Sequence, residues 1–216
     1  MAVKAVIFDL DGTLLNTLTD IANAVNYTLQ KNGFPTHCVE AYKRFVGNGT
    51  DIMIKRALPE GSKNAETLDL LRPGYLEYYD AHSGDFTRPY DGIPELLREL
   101  KRRGIKLAVT SNKIDCMVQI IVNQYFNGTF DYVTGQKENV PIKPDPAMVF
   151  AAVSEFGVTP SDCIYVGDSG VDAETGKNSG AFTVGVSWGF RTAEELMAGG
   201  ADTVISKPSE LLQYLK

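Results

Sequence analysis

The sequence predicts an α/β protein, a doubly wound parallel sheet interrupted near its start by an all-helical insertion. Three observations carry this reading. Val3 to Phe8 is an almost continuous apolar run, as expected of a parallel strand covered on both faces. From about residue 89 onward, apolar runs of strand length alternate with segments of helical period, which is the pattern of βαβ units with right-handed crossovers. Between Thr17 and about Arg88 no strand-like stretch stands out.

The insertion opens with Leu18, Ile21, Ala22, Val25 and Leu29 at helical spacing, and Gly33 follows as a stop. "EAYKRFV", "TDIMIKRAL" and "AETLDLLRPGYLEYYDAHSG" read as further helices. Then Ile93, Leu96, Leu97 and Leu100 give one helix face, closed by Gly104. "IKLAVTS" reads as a strand, "DCMVQIIVNQYFNG" as a helix and "FDYVTG" as a short strand. "DPAMVFAAVSEFG" is a helix, "CIYVGDS" a strand, "VDAETGKNSG" a short helix and "AFTVGVS" a strand. "ADTVIS" and "PSELLQYLK" form a last strand–helix pair. The division is therefore a core of residues 1–16 and 89–216 around a helical insertion of 17–88.

Composition narrows the class. The chain has 216 residues, of which 44% are hydrophobic, enough for a sizeable core. The net charge of −6 and the lack of a Lys/Arg block argue against a nucleic-acid partner. No segment reads as a signal peptide or a membrane span, so a cytoplasmic protein is expected. Cys38, Cys116 and Cys163 are far apart and odd in number, which suits reduced thiols packed in or near the core.

In doubly wound sheets ligands bind beyond the carboxyl ends of the strands. Those ends carry Asp9 and Asp11, Ser111 and Asn112, and Asp168 with Asp172 close behind; Lys143 lies in the loop "PIKPDP". Crowded carboxylates repel and imply a cation. Oxygen ligands without nearby His or Cys point to Mg²⁺ rather than Zn²⁺. The set suits phosphoryl transfer on a small phosphorylated metabolite. One carboxylate can attack phosphorus, and a second can protonate the leaving alcohol and then activate water. Gly12 permits a sharp turn after the pair.

"DLDGTL", "VTSN", "KPDP" and "GDSGVD" occur in that order and resemble the four motifs of the haloacid dehalogenase superfamily of phosphatases. "FVGNGTDIMIKRAL", "PYDGIPELLREL" and "GIKLAVTSNK" are similar to phosphoglycolate phosphatases within it. The resemblance implies a Rossmann-like core with a helical cap. It implies Asp9 as nucleophile and metal ligand, and Asp11 as general acid/base whose carbonyl also binds the metal. It implies Ser111 and the Asn112 backbone on the phosphoryl group, Lys143 beside Asp9, and Asp168 on the metal with Asp172 direct or through water. Asn16 and Ser111 stand where aspartate and threonine are common. The implied activity is hydrolysis of 2-phosphoglycolate. A β-phosphoglucomutase-like mutase, a pyrophosphatase and a non-catalytic phosphometabolite-binding module are the alternatives.

"VGNGT" places Gly47, Asn48 and Gly49 between two helices, where a plain helix–helix turn is the simplest account. The resemblance favours a loop lowered onto the substrate, with Arg44 or Arg56 as candidate partners for a substrate carboxylate. His37, His82 and Trp188 read as packing residues.

Overall fold

The computed structural model describes residues 3–215. In chain order, β1 (Ala5–Phe8) is followed by a two-residue strand β2 (Leu15–Asn16). Four helices come next: α1 (Leu18–Lys31), α2 (Tyr42–Phe45), α3 (Thr50–Ala57) and α4 (Ala65–His82). β3 (Arg88–Pro89) then pairs antiparallel with β2, so the two crossings of the insertion run side by side. The rest alternates: α5 (Ile93–Arg102), β4 (Lys106–Ile114), α6 (Asp115–Phe126), β5 (Tyr132–Gln136), α7 (Ala147–Phe156), β6 (Cys163–Gly167), α8 (Gly170–Ser179), β7 (Phe182–Val186), α9 (Ala193–Ala198) and β8 (Thr203–Ile205).

Six strands form one parallel sheet in the order β5-β4-β1-β6-β7-β8. The period of two along β1 explains its fully apolar text. Val6 and Phe8 face a core that includes Leu96, Leu97, Leu100 and Ile121, while Ala5 and Ile7 face Val149, Ala152 and Val153. The insertion has its own apolar cluster. Leu18, Ile21, Val25 and Leu29 of α1 pack with Tyr42, Ile54, Leu71, Tyr75 and Tyr79. Buried Asp20 fastens α1 to the return linker, accepting from the Phe86 and Thr87 N–H groups and the Thr87 hydroxyl. A buried carboxylate needs such donors, since desolvation alone would be costly.

Several elements depart from expectation. "PSELLQYLK" forms a 3₁₀ helix over Pro208–Tyr214, not an α-helix, and "EAYKRFV" divides into a 3₁₀ turn at Val39–Ala41 and the short α2. β4 runs past its expected end to Ile114, with a register shift between Thr110 and Ile114. The unanticipated α9 starts at a Thr192–Glu195 capping box. Cys163 is buried, but Cys38 and Cys116 are exposed rather than packed. No helix among the described residues is long and apolar enough to cross a membrane.

Candidate active site

The site forms where β1, β4 and β6 end. The Asp9 N–H still donates to Val166 O at 2.9 Å, continuing the β1–β6 ladder by one residue. Leu10 turns into the core, and Asp9 and Asp11 line one cavity on the other side. Gly12 follows at φ +89°, and a Cβ there would lie 2.2 Å from an Asp168 carboxylate oxygen. Only glycine allows both that conformation and that approach.

Beyond β6, Asp168 accepts from the Phe190 N–H at 2.7 Å. Ser169 and Asp172 form the capping box of α8: the Ser169 hydroxyl accepts from Asp172 N–H, and Asp172 Oδ2 accepts from Ser169 N–H. Asp172 Oδ1 accepts from Lys143 Nζ at 2.7 Å and from the Tyr165 hydroxyl at 3.1 Å. Both Asp172 oxygens are therefore engaged by the protein. Lys143, 3% exposed, also donates to Asp9 Oδ1 at 2.6 Å and to Thr110 O at 3.3 Å. Three donors meet three acceptors.

Beyond β4, Ser111 is buried and its hydroxyl accepts from Lys113 N–H at 3.2 Å. The Asn112 amide donates to Gly47 O and Lys143 O, each at 3.0 Å, and accepts from Lys143 N–H at 2.8 Å. One side chain thus fixes the Lys143 loop and holds the loop of the insertion against the core. Arg191 reinforces the second contact by donating to the carbonyls of Lys43 and Val46.

Electrostatics follow from burial. Desolvation, with the nearby Asp172 charge, raises Asp9 to about 7 despite Lys143. Desolvation and the same neighbours push Asp168 well above the usual carboxylate range. Burial by itself would depress the Lys143 ammonium, but Asp172 and Asp9 hold it well above the ordinary lysine value. Lys143 is one ammonium among three carboxylates. Asp9, Asp168 and Asp172 offer carboxylate oxygens within 4.8 Å of one another, an all-oxygen set that could hold a hard divalent cation. Among the described residues, one oxygen each of Asp9 and Asp168 accepts no hydrogen bond from the protein, so donors remain for such an ion. The Asp11 side chain is outside this cluster and pairs instead with Lys113 Nζ at 3.2 Å.

The structure thus brings together Asp9, Asp11, Ser111, Asn112, Lys143, Asp168 and Asp172 with Gly47 and Gly49 of the insertion loop. Arg44 is exposed and does not line the cavity. Asn48 and Arg56 are also absent from its walls; Arg56 donates to Asn48 Oδ1 and Phe45 O and so braces the loop. His37 bonds Ala57 O within the insertion, His82 pairs with Asp85, and Trp188 packs on the main core. Sequence reasoning missed Lys113, Thr50, Met53, Tyr75, Phe190 and Arg191 on the cavity wall. A signal existed for Lys113, which directly follows "VTSN" at a strand end.

A family model for haloacid dehalogenase-like hydrolases matches residues 6–186, and the chain belongs to that family. The phosphoglycolate phosphatase of Pseudomonas putida is 33% identical over 97% of this chain and 78% of its own length. The N-acetylmuramic acid 6-phosphate phosphatase of Pseudomonas aeruginosa is 32% identical over 100% and 96%. A crystal structure from Lactobacillus delbrueckii subsp. bulgaricus superposes with a TM-score of 0.94 at 32% identity, covering 100% of this chain and 99% of that one. Within the family the chain resembles phosphoglycolate phosphatases, and it is a phosphoric monoester hydrolase.

Proposed function

We propose that this phosphatase is Mg²⁺-dependent and converts 2-phosphoglycolate to glycolate and phosphate through an aspartyl-phosphate on Asp9. The observation that carries the reading is the division of labour between two carboxylates on one cavity. Asp9 is held by Lys143 with one oxygen uncovered, and Asp11 stands apart from the acidic cluster.

In the first step the uncovered Asp9 oxygen attacks phosphorus, the bond to the bridging oxygen breaks, and Asp11 protonates that oxygen as it leaves. In the second, Asp11 takes a proton from water, the water oxygen attacks the same phosphorus, and phosphate departs with Asp9 regenerated. Lys143 keeps Asp9 oriented and balances charge on the phosphoryl oxygens, while Ser111 and the Asn112 backbone position that group. Mg²⁺, held by Asp9, Asp168 and the Asp11 carbonyl, would neutralise phosphate charge. Asp172, with both oxygens engaged, orients Lys143 and acts on the metal at most through water.

Residues 17–88 serve as a cap over a core of 1–16 and 89–216. The Gly47–Asn48–Gly49 loop closes the cavity, excludes water and favours a small substrate. The substrate is read as a small cytoplasmic metabolite. Arg44, exposed and absent from the cavity wall, has no part in this reading.

The deciding experiment is a Mg²⁺ activity panel of phosphoglycolate, N-acetylmuramic acid 6-phosphate, pyrophosphate and β-glucose 1-phosphate. The highest kcat/KM is expected for phosphoglycolate, with free phosphate and no sugar isomer formed. A higher value for any other member, or isomer formation, overturns the substrate assignment. Gly49→Val tests the cap loop. Gly49 sits at φ +87°, and its Cβ would meet Gln136 and the Asn112 carbonyl at 3.3 and 3.4 Å. A β-branched residue is strained there. The substitution should lower kcat/KM about tenfold or more for phosphoglycolate, and less for p-nitrophenyl phosphate, whose leaving group needs little help. An unchanged ratio in a folded variant would reduce the loop to a simple turn.

A further inference from the structure

We propose that Lys113 selects a carboxylate-bearing substrate, donating to the carboxylate of the leaving group while Asp11 protonates its bridging oxygen. This rests on the phosphoglycolate reading and supplies its missing recognition element. Among the described residues, three cations line the cavity: Lys113, Lys143 and Arg191. Lys143 has no donor to spare, because Asp9, Asp172 and Thr110 O take all three. The Arg191 guanidinium is turned onto the carbonyls of Lys43, Val46 and Phe190.

Lys113 is different. Its ammonium carries three N–H donors, yet among the described residues Asp11 is its one hydrogen-bond partner, at 3.2 and 3.3 Å. Those separations exceed the ~2.7–2.9 Å of a tight charge-assisted bond. The Tyr79 ring covers another side, its centroid 4.4 Å from Nζ. The Lys113 side chain is only 4% exposed, so bulk water has little access to the remaining donor capacity. A buried cation with one donor to spare on a cavity wall fits an anionic group.

Its position identifies which anion. Lys113 stands two residues beyond Ser111, and its own N–H is bonded to the Ser111 hydroxyl. The acid Asp11 must reach the bridging oxygen, so Lys113, paired with Asp11, stands on the leaving-group side of a phosphoryl group held by Asp9 and Ser111. A two-carbon phosphorylated acid carries its carboxylate there, one carbon beyond the bridging oxygen. Lys113 then contacts both the substrate carboxylate and the acid that must reach the bridging oxygen.

The experiment compares kcat/KM for phosphoglycolate and for 2-hydroxyethyl phosphate, which replaces the carboxylate by an uncharged alcohol, in wild type and in Lys113→Met. Methionine keeps the buried stem and removes the charge. The wild type should prefer the acid. The variant should lose roughly ten- to hundredfold of that preference, the scale of a hydrogen bond to a charged group, even if both activities fall because Asp11 loses its partner. Should Lys113→Met fail to fold, Lys113→Gln retains an N–H donor without the charge and is expected to lose the preference too. An unchanged acid-to-alcohol ratio in a folded variant of a wild type that prefers the acid overturns the role of Lys113 alone. A wild type with no preference for the acid overturns both this assignment and the phosphoglycolate reading.

Discussion

Asp9→Asn should abolish turnover, with a loss of at least about 10⁴-fold in kcat, while the protein stays folded. The amide is nearly isosteric and its oxygen can still accept from Lys143, whose Nζ lies 2.6 Å from the native Oδ1. It cannot form an acyl phosphate with normal chemistry. Stability should not fall, because the substitution removes one charge from a cluster in which burial and Asp172 already push Asp9 up to about 7. Beryllium fluoride trapping of the wild type should place its adduct on Asp9, and none should form on the variant. Substantial residual Mg²⁺-dependent turnover in purified Asp9→Asn would sink the covalent mechanism, since among the described residues no other carboxylate on this cavity combines an uncovered oxygen with a lysine partner.

The core of this site was legible because its residues end apolar runs. Asp9 and Asp168 interrupt strands that are otherwise buried, and an acid at such a position has few structural excuses. Lys143 was legible only through the motif around it; its value comes from two carboxylates that are 134 and 29 residues away in sequence. Lys113 shows the opposite failure. It ends "GIKLAVTSNK", yet a lysine after a strand reads as a solvated charge until the fold buries it beneath Tyr79. Proximity in sequence alone makes Arg44 and Arg56 candidate anion receptors beside the loop. Packing instead turned Arg56 to brace the loop and left Arg44 exposed. Secondary structure failed where segments were short. β2 and β3 have two residues each, too few to show alternation, and the C-terminal segment has the apolar spacing of a helix but the tighter 3₁₀ winding.

Lys143→Met should damage the fold as well as the chemistry. The ammonium is 3% exposed and joins two buried carboxylates at 2.6 and 2.7 Å. Removing it leaves Asp9 and Asp172 facing each other without a counter-charge, and breaking a buried ion pair from one side costs about 3–5 kcal/mol. For a chain of this size that corresponds to a fall in Tm of roughly 10 °C or more. The pH dependence has a definite sign. Asp9 is already raised to about 7 with the lysine present, with desolvation the largest cause. Loss of Lys143 removes the main force that lowers it. A carboxyl whose pKa is raised by folding binds more protons in the folded state, so its stabilising contribution is full below the unfolded value and is lost as pH rises through the folded value. Lys143→Met should therefore be nearest to wild type at about pH 5 and fall progressively behind it toward about pH 8 when measured in chelator. Mg²⁺ should recover part of the melting temperature at the upper end, where the carboxylates are ionised, without restoring activity. Melting curves for both proteins across that range, with and without Mg²⁺, test the idea. A variant that melts with wild type at every pH would show that Lys143 does not hold the acidic cluster together.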